Sequence, residues 1–143
     1  KVGTGLLKHG FSVDARYSKV ICNGHVEHSN SNFHSYFVSG AWYGAKTMVK
    51  VLTFGGKERT GIAWDGISPT MWRDNPRYNG AGEYVDENGK MQYYKNNTDN
   101  YFQHHYQAHV SHIFNQKWSL NAALHYTRGD GYTEQVKYAK HKD

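Results

Sequence analysis

The sequence predicts an all-β fold, an antiparallel meander of long strands. Three observations carry that expectation. Apolar residues recur at every second position, the period of a strand with one apolar face. The stretches that show this period are joined by connections that alternate between long and short. Aromatic side chains stand near both ends of the apolar parity in four of the five stretches. Together these predict a segment of a transmembrane β-barrel with short periplasmic turns and long extracellular loops. Such barrels turn an apolar band to lipid and a polar face to the lumen, and carry their long loops on one side.

The elements are taken in chain order. Phe11, Val13, Ala15 and Tyr17 alternate with Ser12, Asp14, Arg16 and Ser18, the first strand. A polar stretch, 19–33, contains the turn signal Asn23 and Gly24. The second strand covers 34–43, with Tyr36, Val38, Gly40 and Trp42 on one parity. Residues 44–46 make a tight turn. The third strand runs over 47–64, and its Gly55 and Gly56 suggest a bulge or bend. A long polar stretch, 65–100, holds both prolines and reads as exposed over 79–82. Within it, 82–85 and 91–94 suggest a small hairpin. The last two strands form a hairpin over 101–128, turning at 115–117. Its arms are about ten residues or more, longer than the usual globular strand. After Gly129, Asp130 and Gly131 another extended piece begins and turns basic.

The aromatic positions sharpen the barrel expectation. Phe11, Trp42, Phe114 and Trp118 fall at the end nearest the short turns. Tyr17, Tyr36, Phe102 and Tyr126 fall at the end nearest the long loops. At roughly 3.3 Å per residue and a tilt near 45°, the separations centre on the order of 20 Å. That is close to the apolar band between two aromatic girdles, where amphipathic rings prefer the headgroup layer. These eight residues are expected to face lipid. The opposite parity is expected to face the lumen. It holds Asp14, Arg16, Lys50, Gln103, His105, Gln107, His109, Asn121 and His125. His104 and His112 share the outward parity of their strand, so each must stay neutral, sit near the interface or find a protein contact.

Composition narrows the function. The 143 residues suit one domain, and no apolar run is long enough for a membrane helix. The net charge is +5, but the basic residues are spread out, so no nucleic-acid partner is expected. Cys22 is the only cysteine, which excludes an internal disulfide and a thiolate metal site. The opening KVGTGLLKHGF lacks a signal-peptide core, and the chain begins at the approach to a strand, as a fragment would.

Ten histidines raise the question of a metal. His105 and His109 share a face, but four residues along a strand is about 13 Å, too far for one ion. No HExxH, CxxC, nucleophile elbow or phosphate loop is present. No catalytic residue, metal or cofactor is expected. The long loop offers better binding chemistry. Trp72, Arg73, Arg77, Tyr78, Tyr84, Tyr93 and Tyr94 combine flat rings with cationic donors, suited to sugars, aromatic chelates or carboxylate-bearing ligands.

Three segments carry a family resemblance: GLLKHGFSVDARYSK, SYFVSGAWYGAKTMVKVLTFGGKERTGIAW and DNYFQHHYQAHVSHIFNQKWSLNAALHYTRGDGY. They resemble the β-barrel of TonB-dependent outer-membrane receptors of the kind found in Bacteroides-like bacteria. The most specific parts are TFGGKERTGIAW and HYTRGDGY. The resemblance implies that residues 1–143 are a partial barrel domain, about five strands with two outer loops. It implies an N-terminal plug, further barrel strands and a TonB-contacting box, none of which these residues supply. It also implies a location spanning the outer membrane and the import of a scarce nutrient: an iron chelate, haem, cobalamin or a glycan. Outer-membrane lipid, the plug, the TonB complex and that substrate are the implied partners. The rival is a small soluble β-barrel or sandwich binding an apolar ligand, which needs an apolar interior and a polar exterior.

Overall fold

The computed structural model describes residues 1–136. The chain forms β1 (Val2–Gly3), a 3-10 turn (Lys8–Gly10), β2 (Phe11–Cys22), β3 (Ser31–Tyr43) and β4 (Thr47–Gly61). Next come α1 (Pro69–Asp74), β5 (Glu83–Val85), β6 (Met91–Tyr93), β7 (Thr98–Ile113) and β8 (Ser119–Glu134). One sheet has the order β1-β2-β3-β4-β7-β8, an antiparallel meander of long strands. The sheet is open. A second, two-stranded sheet joins β5 to β6, pairing Glu83 with Tyr93 and Val85 with Met91.

The strands outrun their sequence boundaries at several ends. β2 continues to Cys22, β3 starts at Ser31 and β7 starts at Thr98, while β4 stops at Gly61. Polar residues such as Lys19 and Asn32 extend once a neighbouring strand supplies their backbone partners. β8 passes unbroken through Gly129, Asp130 and Gly131, where the sequence suggested a break. A Cβ on Gly131 would lie 2.7 Å from Cδ2 of Tyr101, so the ring covers the bare backbone. β4 likewise runs through Gly55 and Gly56. A Cβ on Gly55 would collide with the Gln103 carbonyl, and one on Gly56 would lie 2.8 Å from the His34 carbonyl oxygen. The pair lets β3 and β7 approach β4 closely. The basic end of the chain, 137–143, lies outside the described residues.

Local chemistry fixes the turns. Asn115 Oδ1 accepts from the backbone of Lys117 (2.8 Å) and Trp118 (3.0 Å), closing the β7–β8 hairpin. Gly44 N donates to the Thr47 carbonyl at 2.8 Å to close the β3–β4 turn. Helix α1 was not expected, although its start carries the usual signals: Ser68 Oγ caps Met71 N at 3.3 Å, and Pro69 is the next residue.

The chain divides into two compact units. The first comprises Lys1–Lys19, Phe33–Lys57 and Phe102–Asp130; the second comprises Val20–Asn32, Glu58–Tyr101 and, of the described residues, 131–136. Among the described residues only Ala41, Ile62 and Ala81 are buried apolar residues. On β2, Phe11, Val13 and Tyr17 are exposed while Ser12, Asp14 and Ser18 are half-buried. On β7, Tyr106 and Val110 are exposed while Gln103, His105, Gln107, His109 and Ser111 are half-buried. Trp118 and Leu124 are 71% and 77% exposed on or beside the edge strand β8.

Candidate functional site

The polar parity of the first unit is bonded to itself. Ser111 Oγ donates to Asn121 Oδ1 at 2.7 Å, and Gln107 Nε2 meets His125 Nδ1 at 2.9 Å. Thr127 Oγ1 lies 2.9 Å from His105 Nδ1 and 2.6 Å from His125 Nε2. His109 Nε2 reaches Gln107 Oε1 at 3.1 Å. An amide nitrogen only donates and an amide oxygen only accepts, so this amide sets the direction of the ladder. With neutral rings, His109 donates to Gln107, Gln107 to His125, His125 to Thr127 and Thr127 to His105. The His105 ring also stacks on Phe54 (4.6 Å) and lies 5.5 Å from the His125 ring. Reading one strand at a time hid that cross-strand pair. Asp14, Arg16 and Lys50 line one depression of about 370 Å³, together with Lys1, Phe37 and Ser39. Gln103 is half-buried, with its carbonyl against Gly55.

The other parity resolves the two outlying histidines through protein contacts. His104 Nδ1 bonds the Tyr36 hydroxyl at 2.8 Å. His112 Nδ1 bonds Thr47 Oγ1 at 2.7 Å and sets its ring edge-on to Phe114 at 4.5 Å. Tyr17 pairs similarly with His34 at 2.5 Å. Tyr17, Tyr36 and Phe102 gather with His34, His104 and Lys57 around a depression of about 290 Å³. Phe11, Tyr17, Trp42, Phe114, Trp118 and Tyr126 are exposed; Tyr36 and Phe102 are half-buried.

In the second unit the seven loop candidates separate. Arg77 Nε donates to the His25 carbonyl at 2.8 Å. Tyr78 and Tyr93 donate to the two oxygens of Glu83, at 2.7 and 2.6 Å. Burial first, and then the Glu83 carboxylate, hold the Tyr93 hydroxyl well above its ordinary pKa. The hydrogen bond to Glu83 raises Tyr78 in the same direction. Trp72 and Arg73 are exposed on α1, and Tyr84 is half-buried in β5. Of the seven, Tyr93 and Tyr94 come together, lining a depression of about 310 Å³ with His28, Gln92, Asn97 and Thr98. The His28 ring lies 4.1 Å from that of Tyr93, at 31°.

Asn97 was not among the sequence candidates. It is buried, and its Nδ2 has no hydrogen-bond partner among the described residues. Gly82, at φ +82°, makes room for it: a Cβ there would lie 2.9 Å from Asn97 Cγ. Nor is 79–82 an exposed stretch. Asn79 and Ala81 are buried, and Asn79 Nδ2 donates to the carbonyls of Glu27 and Ile62 at 2.8 and 2.9 Å. Comparison with family models, with curated proteins and with solved structures gives no match.

Proposed function

We propose that this chain is a segment of the β-barrel of an outer-membrane TonB-dependent receptor. It forms part of the passage wall and of the surface that captures a scarce nutrient, and it is not an enzyme. The observation that carries this reading is the distribution of the two parities. Large apolar side chains stand exposed along the strands, while the polar parity of β7 is half-buried and hydrogen-bonded to exposed polar residues of β8. A soluble domain of this size buries roughly two-thirds of its surface around an apolar core. Three buried apolar residues among the described residues do not make such a core. A barrel wall needs none, because lipid covers its apolar face and closure with further strands removes its edges. In this reading the remaining strands, the plug and the TonB complex are partners supplied by the rest of the receptor, and no cofactor takes part.

The test is a spin label at Ala122 and another at Ala123, in the full-length protein reconstituted in lipid vesicles. Collision with lipid-dissolved oxygen is expected to be frequent at 122 and rare at 123. A label at 122 that is shielded and packed inside protein overturns the reading.

A further inference from the structure

Four strands of the first unit meet around the depression of about 290 Å³: Tyr17 of β2, His34 and Tyr36 of β3, Lys57 of β4, and Phe102 and His104 of β7 line it. The Lys57 ammonium is exposed and makes no hydrogen bond or ion pair among the described residues. His34 and His104 each give Nδ1 to a tyrosine hydroxyl, at 2.5 Å to Tyr17 and 2.8 Å to Tyr36. A phenol holds its proton at neutral pH and donates it, so each neutral ring carries its own proton on Nε2. Neither Nε2 has a partner among the described residues, and both rings are only half-buried. Among the described residues no carboxylate lines this depression.

An ammonium and two imidazole N–H groups without a nearby carboxylate suit an anion with several oxygens, as a phosphate has. The rest of the wall is apolar. The Tyr17 ring is 63% exposed, and Val13, Val38 and Tyr106, on the same parities of β2, β3 and β7, continue an exposed apolar stripe away from the depression. A free anion gains nothing from that stripe, whereas a phosphate carrying an acyl chain covers it. Height fits as well. Tyr17, Tyr36 and Phe102 mark the long-loop end of the apolar band, the level of the headgroup layer, where a lysine lays its stem on apolar surface and its ammonium among the phosphates.

We propose that this depression is a specific site for one phosphate-bearing lipid, its phosphate on Lys57 and the imidazoles of His34 and His104, and an acyl chain along Tyr17 and Phe102. Lipid that merely surrounds a barrel needs no charge; this site selects a headgroup. Supply of the lipid rests on the membrane reading above, whereas binding itself does not.

The test titrates the full-length protein, in nonionic detergent, with phosphatidic acid, with the matched diacylglycerol and with inorganic phosphate, and counts bound lipid by native mass spectrometry. One phosphatidic acid is expected to stay on each protein. Diacylglycerol is expected to bind about tenfold more weakly, as for the loss of a charge-assisted hydrogen bond, and inorganic phosphate to leave the lipid in place. Lys57→Gln is expected to weaken phosphatidic acid by about the same factor. Its side chain is exposed, so the variant removes no packed group. Lys117→Gln, exposed in the β7–β8 turn, is expected to keep the parent affinity. Diacylglycerol held as tightly, displacement by inorganic phosphate, or parent affinity in Lys57→Gln overturns the assignment. An equal loss in Lys117→Gln overturns it too, because net charge would then be the cause. The spin label at Ala122 keeps the two readings apart. Lipid contact at 122 without headgroup preference removes this site alone. Phosphate-dependent binding beside a shielded label removes the membrane reading alone.

Discussion

The Tyr36 hydroxyl lies 2.8 Å from Nδ1 of His104, and the bond joins β3 to β7 over the intervening strand β4. It forms there because β4 presents Gly55 at the crossing. A Cβ at Gly55 would stand 3.0 Å from that same nitrogen and would collide with the Gln103 carbonyl.

Gly55→Val is therefore expected to cost about 1–3 kcal/mol, the range for overfilling a fitted contact. Tyr36→Phe removes only the hydrogen bond, worth about 0.5–1.5 kcal/mol net. Denaturant titration of both variants in lipid vesicles checks the order. Equal losses would mean that the backbone gives way at Gly55.

Ala122 and Ala123 start with equal side chains on opposite parities of β8. Near the bilayer midplane Ala122→Arg should cost roughly 2–4 kcal/mol, as lipid-facing Arg does in membrane barrels. Ala123→Arg should cost clearly less, because it meets water or polar groups. The same titration reports both. Equal costs would remove the assignment of faces.

The ladder from His109 to His105 has a direction, and the direction sets the tautomers. Long-range nitrogen–proton NMR at a pH where the rings are neutral should show His105, His109 and His125 each protonated on Nε2. Thr127→Val should release both rings that touch Thr127 Oγ1. A dominant Nδ1–H form at His125 would contradict the orientation of Gln107.

Tyr78 and Tyr93 share the Glu83 carboxylate, and both hydroxyls titrate above the ordinary value of 10.0. A raised folded-state pKa means that the unfolded chain loses its proton first. The stabilisation is full below pH 10.0 and is lost as pH rises through the folded values. Spectrophotometric titration should show two tyrosines ionising late. Glu83→Gln should bring both forward. A Glu83→Gln curve that matches the parent would rule out the carboxylate as a cause.

Orientation can be read from outside the cell. Asn88 and Gly89 lie in an exposed turn closed by Asp86, whose Oδ1 accepts from Asn88 N and Lys90 N at 3.0 and 2.8 Å. An epitope tag between them should be reachable by antibody on intact cells. A tag between Ala45 and Lys46 should not. Labelling at 45–46 with the membrane intact would invert the assignment of turns and loops.

Alternation made the strands legible, because the faces of an extended backbone are set by the order of residues alone. Thus Phe11 to Tyr17 and Trp118 to Tyr126 announced β2 and β8, and the Asn115 turn was readable from its own side chain. Met91 to Tyr93 likewise announced half of the small hairpin. Strand ends were not legible, since whether Ser31 or Gly131 is extended depends on a partner distant in sequence.

The candidate site divides in the same way. Sequence marked Tyr93 and Tyr94 as rings on a long loop, and Arg77 and Tyr78 looked equivalent to them. The tertiary structure turned the guanidinium of Arg77 onto the His25 carbonyl and the hydroxyls of Tyr78 and Tyr93 onto Glu83. It also brought His28 onto Tyr93 and buried Asn97, whose Nδ2 has no partner among the described residues. Parity is a property of neighbours in the chain. Which donor meets which acceptor is settled by residues tens of positions apart, and only the folded backbone sets those distances.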